Sequence, residues 1–353
     1  MCGIIGCAGR DGETLDVLVH GLSKLEYRGY DSAGVALAGG DLDVCKTAGE
    51  IDDLRAALEE RSPAGSVGIG HTRWSTHGPP TDENAHPHLD CNREVAVVHN
   101  GIIENYQALR DELSTAGHEF RSDTDTEVVP HLIEDALADG ADPEDAVRQA
   151  IARLEGSYAV SVVMSGVDRI FAARNDSPLV LGIDDDAYYL ASDVPAFRDH
   201  TDRVVYLADG EFAVLDAGGY RVTTLDGEPV EKTEDTVDWD PEETGKSGYD
   251  HFMLKEIHEQ PRALRQCLRG RVDELAGQVD LADLGDLSPR GIQLVACGTS
   301  YHAAVYAAQL FQQAGIPAQA FLASEYASAT PPIGDALVIG VTQSGETADT
   351  LSA

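Results

Sequence analysis

The rhythm of apolar runs changes part-way along this chain, and the change rules out one regular sheet as its fold. Before residue 230, strand-like runs come first: the opening Met1–Gly6, then Val35–Leu37, Val67–Gly70 and Val95–Val98. Leu15, Leu18, Leu22 and Leu25 mark a helix over Glu13–Glu26. Three helical patterns follow at Ile102–Leu113, Thr126–Ala138 and Pro143–Leu154, and strands resume at Tyr158–Met164, Arg169–Ala173, Tyr188–Ala191 and Arg203–Leu207. Strands, then helices, then strands suggest a mixed layered α/β domain. Residues 231–248 are acidic and rich in Pro, Gly and Thr, as a linker would be. A helical pattern over Tyr249–Gly270, interrupted at Pro261, leads into stricter alternation: strand Gln293–Ala296, helix Tyr301–Gln313, strands Ala318–Leu322 and Ala336–Val341. Such alternation is the signature of a parallel sheet. The expected division is a domain at 1–230, a linker at 231–248 and a second domain at 249–353. Ala336–Val341 would be an apolar edge, insoluble or mobile unless another chain covers it.

Charge narrows the partners. Lys and Arg number 25 against 62 Asp and Glu, a formal net charge of −37. Nucleic acid and anionic membranes both call for a basic face, so neither is an expected partner. The acid excess is spread along the chain, which suits a high-salt cytoplasm where screening shortens self-repulsion. Six cysteines form no C-x-x-C pair, and the first residues carry no basic and apolar leader; both fit reduced thiols in a cytoplasm. No run of 18 apolar residues occurs.

Candidate chemistry gathers in both regions. Cys2 would become the first residue once Met1 is removed, putting a thiol and an α-amine on one residue. The two have pKa values of roughly 8.5 and 8, so the amine can act as base for its own nucleophile. His99-Asn100-Gly101 closes a strand, where an Asn amide and a Gly N–H could stabilise an oxyanion, although Asn-Gly is also a common turn. Arg73, in the polar stretch Gly70–Gly78, could clamp a carboxylate. Ser122–Glu127 offers carboxylates, Asp125 among them, ahead of a helix. A nucleophile, an oxyanion hole, an anion clamp and an acidic group fit hydrolysis of an amide on an amino acid such as glutamine. In the second region, Cys297-Gly298-Thr299-Ser300 and Thr342–Thr347 each carry hydroxyls from a strand end to a helix start, a geometry that suits phosphate. The stretch Glu243–Ser247 lacks the glycine and the strand of a Walker A loop. His71, His77, His86 and His88 lack companions at ligand spacing and read as locally bonded histidines, with no metal and no cofactor expected.

Cys2-Gly3-Ile4, Leu25–Gly34, His71–Gly78, Asn84–His88, His99–Asn105, Ser122–Glu127, His251–Pro261, Cys297–Ser300 and Gln343–Thr350 together resemble the glutamine–fructose-6-phosphate aminotransferase family. The resemblance implies an N-terminal-nucleophile αββα glutaminase domain followed by an incomplete parallel α/β sugar isomerase (SIS) domain. It implies Cys2 as nucleophile, Asn100 and Gly101 as oxyanion hole, and Arg73, Thr76, His77 and Asp125 as the glutamine pocket. Trp74 matches an ammonia gate, and Thr299, Ser300, Thr342, Gln343, Ser344 and Thr347 match the sugar-phosphate site. The expected partners are glutamine and, at an unfinished site, fructose 6-phosphate, with a homodimer implied for the complete enzyme alone. The family continues beyond a length like this one, and its isomerisation residues lie in that continuation. The expectation is therefore a glutaminase half without synthase activity; a stand-alone glutaminase and a sugar-phosphate-binding regulatory module are the other readings.

Overall fold

The computed structural model describes residues 2–353 apart from 11, 62, 76–77, 238–248, 250, 269–271, 274–277, 280–288, 327, 329–333, 344 and 346. Two compact units divide the chain, Met1–Lys255 and Glu256–Ala353.

The first unit opens with β1 (Gly3–Ala8), α1 (Thr14–Lys24), β2 (Ser32–Ala38), β3 (Asp43–Ala48), α2 (Ile51–Glu60) and β4 (Val67–Arg73). It continues through β5 (His88–Leu89), β6 (Val95–Ile103), α3 (Tyr106–Ala116), α4 (Val128–Ala138) and α5 (Pro143–Ile151). The strands β7 (Gly156–Met164), β8 (Val167–Asn175), β9 (Val180–Ile183) and β10 (Tyr188–Ala191) follow. Last come β11 (Arg203–Tyr206), β12 (Glu211–Asp216), β13 (Gly219–Thr224) and β14 (Asp235–Thr236). They form an eight-stranded sheet, β14-β11-β9-β10-β1-β4-β2-β3, and a six-stranded sheet, β13-β12-β8-β7-β6-β5.

Strand alternation makes the layers. Ile4 and Ala8 of β1 meet Ala96 and Val98 of β6 and Ile170 and Ala172 of β8 in the apolar layer between the sheets. Ile5 and Cys7 point the other way, into a core closed by Leu18 and Leu22 of α1 and Leu54 of α2. Val95, Val97 and Ile103 of β6 pack under Leu109, Leu132 and Val147 of α3, α4 and α5. The order is helices, sheet, sheet, helices, as the αββα expectation has it. At Gly34 of β2 an added Cβ would lie 2.2 Å from the His86 carbonyl oxygen, so glycine is what lets the segment around His86 cross the strand.

Several boundaries differ from the sequence reading. Ile102 and Ile103 end β6 and do not begin a helix, because both pair with β7 at Ser157 and Gly156. Asn100-Gly101 is therefore strand and not turn. His71–Arg73 likewise belongs to β4, paired with β1 and β2. Asp235–Thr236, inside the stretch read as linker, pairs with β11 at the edge of the larger sheet; residues 238–248 lie outside the described residues.

The second unit takes most of α6 (Phe252–Leu268), which continues through Pro261, then the short pair β15 (Val272–Asp273) and β16 (Gln278–Val279). Its sheet is built from β17 (Gly291–Ala296), β18 (Ala318–Leu322) and β19 (Ala336–Val341), all parallel, in the order β18-β17-β19. The helices are α7 (Gly298–Gln313), α8 (Ala323–Tyr326) and α9 (Ala348–Ser352). Ala304 and Ala308 of α7 close over Ile292 and Leu294. β19 is an edge strand with Val338 39% exposed, in keeping with the apolar edge expected there.

The apolar layer of the first unit gives way to histidines where β4 and β6 run out. His71 stacks on His86 with ring centroids 4.2 Å apart, and His86 meets His88 edge-on at 4.6 Å. Nε2 of His71 lies 2.9 Å from Asn100 Oδ1 and 3.1 Å from the His99 carbonyl oxygen, both acceptors, so it carries the proton. His86 Nδ1 accepts from the His99 N–H at 3.2 Å. Burial pushes His71 down to about 3 and holds His86 and His88 well below the ordinary imidazole value. In the unfolded chain all three take up protons near 6.5, while in the folded chain they stay neutral. Their contribution to stability is thus complete above pH 6.5 and is lost as the pH falls from 6.5 towards 3, at up to about 1.4 kcal/mol per pH unit for each imidazole. The urea midpoint of the chain should fall steadily from pH 7 to pH 5; a midpoint flat over that range would contradict a neutral histidine layer.

Candidate active site

Cys2 stands immediately before β1, so its backbone is fixed by the first strand while its side chain stays at the end of the sheet. Its carbonyl oxygen accepts from Arg28 Nε at 3.0 Å and from Asn100 Nδ2 at 3.0 Å. Its sulfur accepts from the Trp74 N–H at 3.2 Å. Burial raises the thiol pKa, against the Trp74 amide, the N-terminal amine, Arg73 and Arg28, which pull it down. The thiol is therefore the resting form, and a base is required to make it a nucleophile.

Asn100 reaches this point because of strand parity. Val95, Val97 and His99 face the helices, while Ala96, Val98 and Asn100 face the other sheet. Its Oδ1 takes the His71 proton, and its two amide hydrogens go to the Cys2 carbonyl and to Ser192 Oγ at 2.9 Å. Ser192 in turn accepts from the Ile4 N–H at 2.9 Å. Gly101 follows with φ +122°, and a Cβ there would sit 2.1 Å from the Ser157 carbonyl oxygen. Only glycine fits there.

Arg73 ends β4 and is 3% exposed. Its Nη1 and Nη2 donate to the carbonyls of Pro79 and Gly78, each at 3.3 Å, which fixes the plane of the guanidinium. Trp74 packs edge-on against Tyr30 at 5.4 Å and is 45% exposed. Asp125 is buried, with Oδ2 accepting from the Ile103 N–H at 2.8 Å. The loop that carries it is closed by Glu127, whose carboxylate accepts from the Arg121 and Ser122 N–H groups at 2.8 and 2.7 Å. Asn84 bonds the Asp123 N–H at 2.8 Å, and Thr124 Oγ1 meets His88 Nε2 at 3.0 Å.

Cys2, Arg73, Trp74, Gly101, Thr124 and Asp125 line one narrow pocket, with His86, His99 and Thr126 behind them. Asn100 is not among its lining residues but bonds the carbonyl of Cys2, which is. Thr76 and His77, expected in the same pocket, lie outside the described residues. A second depression, lined by Gly166–Arg169 and Asp216–Gly218, holds none of the expected reactive groups. Arg28, Ser192 and His71 had no expected role, yet they hold Cys2 and Asn100 in place. Arg28 and His71 lie in the stretches Leu25–Gly34 and His71–Gly78 that the sequence singled out, whereas Ser192 carried no signal.

In the second unit, the loop from β17 into α7 and the loop after β19 come together. Cys297 Sγ lies 3.7 Å from Asp349 Oδ2, and Thr342 Oγ1 lies 3.0 Å from Thr347 Oγ1 and accepts from the Gly345 N–H at 3.2 Å. Thr299 opens the sixteen-residue α7 and is exposed with Gln343; Ser300 and Thr347 are half-buried. Ser344 lies outside the described residues.

A family model for a glutamine amidotransferase domain matches residues 71–199, and one for a SIS domain matches residues 288–353. The chain is 54% identical over 362 residues to glutamine–fructose-6-phosphate aminotransferase (isomerizing) of Halobacterium salinarum, covering 100% of this chain and 59% of that protein. It is 49% identical over 356 residues to the protein of the same name from Methanothermobacter thermautotrophicus, again covering 100% and 59%. The chain thus spans about three fifths of the length of these curated relatives (59%). Among solved structures, glutamine phosphoribosylpyrophosphate amidotransferase from B. subtilis, complexed with ADP and GMP, matches at TM-score 0.58 and 22% identity, over 90% of this chain and 65% of that one. That likeness bears on the fold alone. Similarity along the whole chain, with both domains matched in order, makes this chain a member of the glutamine–fructose-6-phosphate aminotransferase family.

Proposed function

We propose that the first unit hydrolyses the side-chain amide of glutamine and that the complete protein delivers the ammonia to fructose 6-phosphate, giving glucosamine 6-phosphate and glutamate. The observation that carries this reading is the pocket itself: a thiol, a buried guanidinium and a buried carboxylate face one narrow space. Arg73 would hold the glutamine α-carboxylate and Asp125 its α-ammonium, with Thr76 and His77 completing the pocket. With Met1 removed, the Cys2 α-amine takes the thiol proton as sulfur attacks the amide carbon. Asn100 Nδ2 and the Gly101 N–H stabilise the oxyanion, which competes with the Cys2 carbonyl for the Asn100 hydrogen. The proton passes to the leaving nitrogen, the C–N bond breaks and ammonia departs past Trp74. Water then attacks the thioester, releasing glutamate and restoring the thiol.

The hydroxyls and N–H groups of Thr299, Ser300, Thr342, Gln343, Ser344 and Thr347 would take the sugar phosphate, with the α7 N-terminus adding its dipole. A homodimeric complete enzyme, a cytoplasmic setting and a preference for high salt belong to the same reading. Among the described residues no helix is long and apolar enough to cross a membrane.

Three substitutions test the glutaminase reading. Cys2→Ala should abolish glutamate release, and retained turnover would remove Cys2 as nucleophile. Asn100→Ala should lower kcat by roughly 10²–10³ with a smaller change in KM, as loss of an oxyanion donor does. Arg73→Lys should instead raise KM for glutamine by at least tenfold with kcat less affected; a pure kcat defect would assign Arg73 to the chemistry and not to binding.

A further inference from the structure

Four metal-ligating side chains that take no part in this pocket converge at the foot of α4. Cys91 Sγ lies 3.5 Å from His118 Nδ1 and 3.6 Å from His131 Nδ1. Glu134 Oε2 lies 3.1 Å from His118 Nδ1 and 3.3 Å from His131 Nδ1. All four ligand atoms fall within 4.8 Å of one another. A tetrahedron with zinc bond lengths has sulfur–nitrogen edges of about 3.6 Å and nitrogen–oxygen edges of about 3.4 Å. The four measured edges are close to those of a tetrahedral site.

Hydrogen bonding alone accounts poorly for this cluster. His118 Nε2 lies 2.8 Å from Asp135 Oδ1, a carboxylate that can only accept, so Nε2 carries the proton. A neutral His118 then turns the Nδ1 lone pair toward the Glu134 carboxylate at 3.1 Å, which is repulsive without a cation between them. A second proton on His118 and an Nδ1–H tautomer of His131 would satisfy both contacts with Glu134, but they leave the Cys91 sulfur as a third group 3.5 and 3.6 Å from the same two Nδ1 atoms.

The ligands are also held in advance. Asp90 builds the turn that presents Cys91, with Oδ1 accepting from the Glu94 and Val95 N–H groups at 2.7 and 2.8 Å. His118 follows the left-handed Gly117 cap of α3, and its N–H bonds the Leu113 carbonyl at 3.0 Å. His131 and Glu134, three apart, share a face of α4. Beyond the ligands, Asp135 orients His118, and Asn92 Nδ2 donates to Glu134 Oε1 at 2.8 Å, the kind of outer support metal sites carry. His131 Nε2 has no hydrogen-bond partner in either tautomer and lies beside Phe120.

We propose that Cys91, His118, His131 and Glu134 form a structural site for a tetrahedral divalent transition metal of the zinc class. Binding releases the Cys91 thiol proton, and the thiolate and the Glu134 carboxylate together neutralise the dication. Thiolate and imidazole donors favour zinc over magnesium or calcium. The metal ties the turn after β5 and the end of α3 to α4, whose entry loop carries Asp125.

The test uses the full chain and zinc alone. After chelation, reloading and desalting, the wild-type chain should retain one zinc per chain by elemental analysis. Glu134→Gln, nearly isosteric, should bind zinc at least 100-fold more weakly, whereas Cys2→Ser should bind it unchanged. Cobalt(II) should give tetrahedral visible bands with a thiolate charge-transfer band, and Cys91→Ser should lose the latter. Zinc retention equal in wild type and Glu134→Gln, or a cobalt spectrum without thiolate character in the wild-type chain, overturns the proposal. So does a wild-type chain that retains no zinc, which leaves a doubly protonated His118 as the account of the cluster. None of these readouts depends on glutamine turnover, so they stand apart from the fate of the glutaminase reading.

Discussion

Everything at the reactive end of the first unit hangs on the side-chain amide of Asn100. It sits where the apolar layer between two sheets ends, and a buried amide there must have every hydrogen bond met or cost about 1–3 kcal/mol. His71 meets its oxygen, and Cys2 and Ser192 meet its nitrogen. Those three partners come from β4, from the start of β1 and from the end of β10, so one amide joins the strands of the larger sheet to β6 of the smaller. Strand period makes the arrangement all-or-none. A slip of β6 by one residue would turn Asn100 to the helices and His99 to the sheets.

Histidine protonation belongs to the same constraint. His71 donates to two acceptors through its Nε2–H, and burial keeps the ring neutral. His86, stacked on His71, and His88, edge-on to His86, carry the layer out to the loop that holds Asp125, through Thr124. Cys2 at one end and Asp125 at the other are therefore linked by a chain of uncharged rings. Positive charge reaches Cys2 from Arg28, which donates to its carbonyl, and from Arg73.

How much of this the sequence disclosed depended on the range of the signal. Local periodicity was enough for α1, α4, β7, β10 and the three parallel strands, whose limits match or nearly match the apolar runs. It failed at β6, where Asn100-Gly101 reads as a turn because nothing local reports the long pairing with β7. The hairpin of β12 and β13 was passed over because its alternation is diluted by Glu211, Asp216 and Arg221. Pro261 looked like an interruption, yet α6 continues through it. The reactive residues were legible because their types and order resemble a family, whereas Arg28, Ser192 and His71 owe their places to tertiary contacts alone. Cys91, His118, His131 and Glu134 come from a turn, a helix cap and a helix face, and only the last two, three apart on α4, carried any local signal.

Net charge sharpens how anions can be handled by such a chain. With 62 acidic and 25 basic residues, the long-range field repels a phosphate before any contact is made. On the proposed reading glutamine, a zwitterion without net charge, escapes this, and one buried arginine and one buried aspartate would suffice to hold it. On the proposed reading, the sugar phosphate meets no cation among Thr299, Ser300, Thr342, Gln343, Ser344 and Thr347 and must be held by neutral hydroxyls, amides and the α7 dipole. Those interactions act only within a few ångströms, while the opposing field extends over a Debye length, about 10 Å at 0.1 M salt and about 3 Å at 1 M. Concentrated salt removes the long-range repulsion and leaves the short contacts largely intact. A phosphate site built from neutral donors is thus suited to an acid-rich protein at high ionic strength, where it loses less than a lysine-built site would.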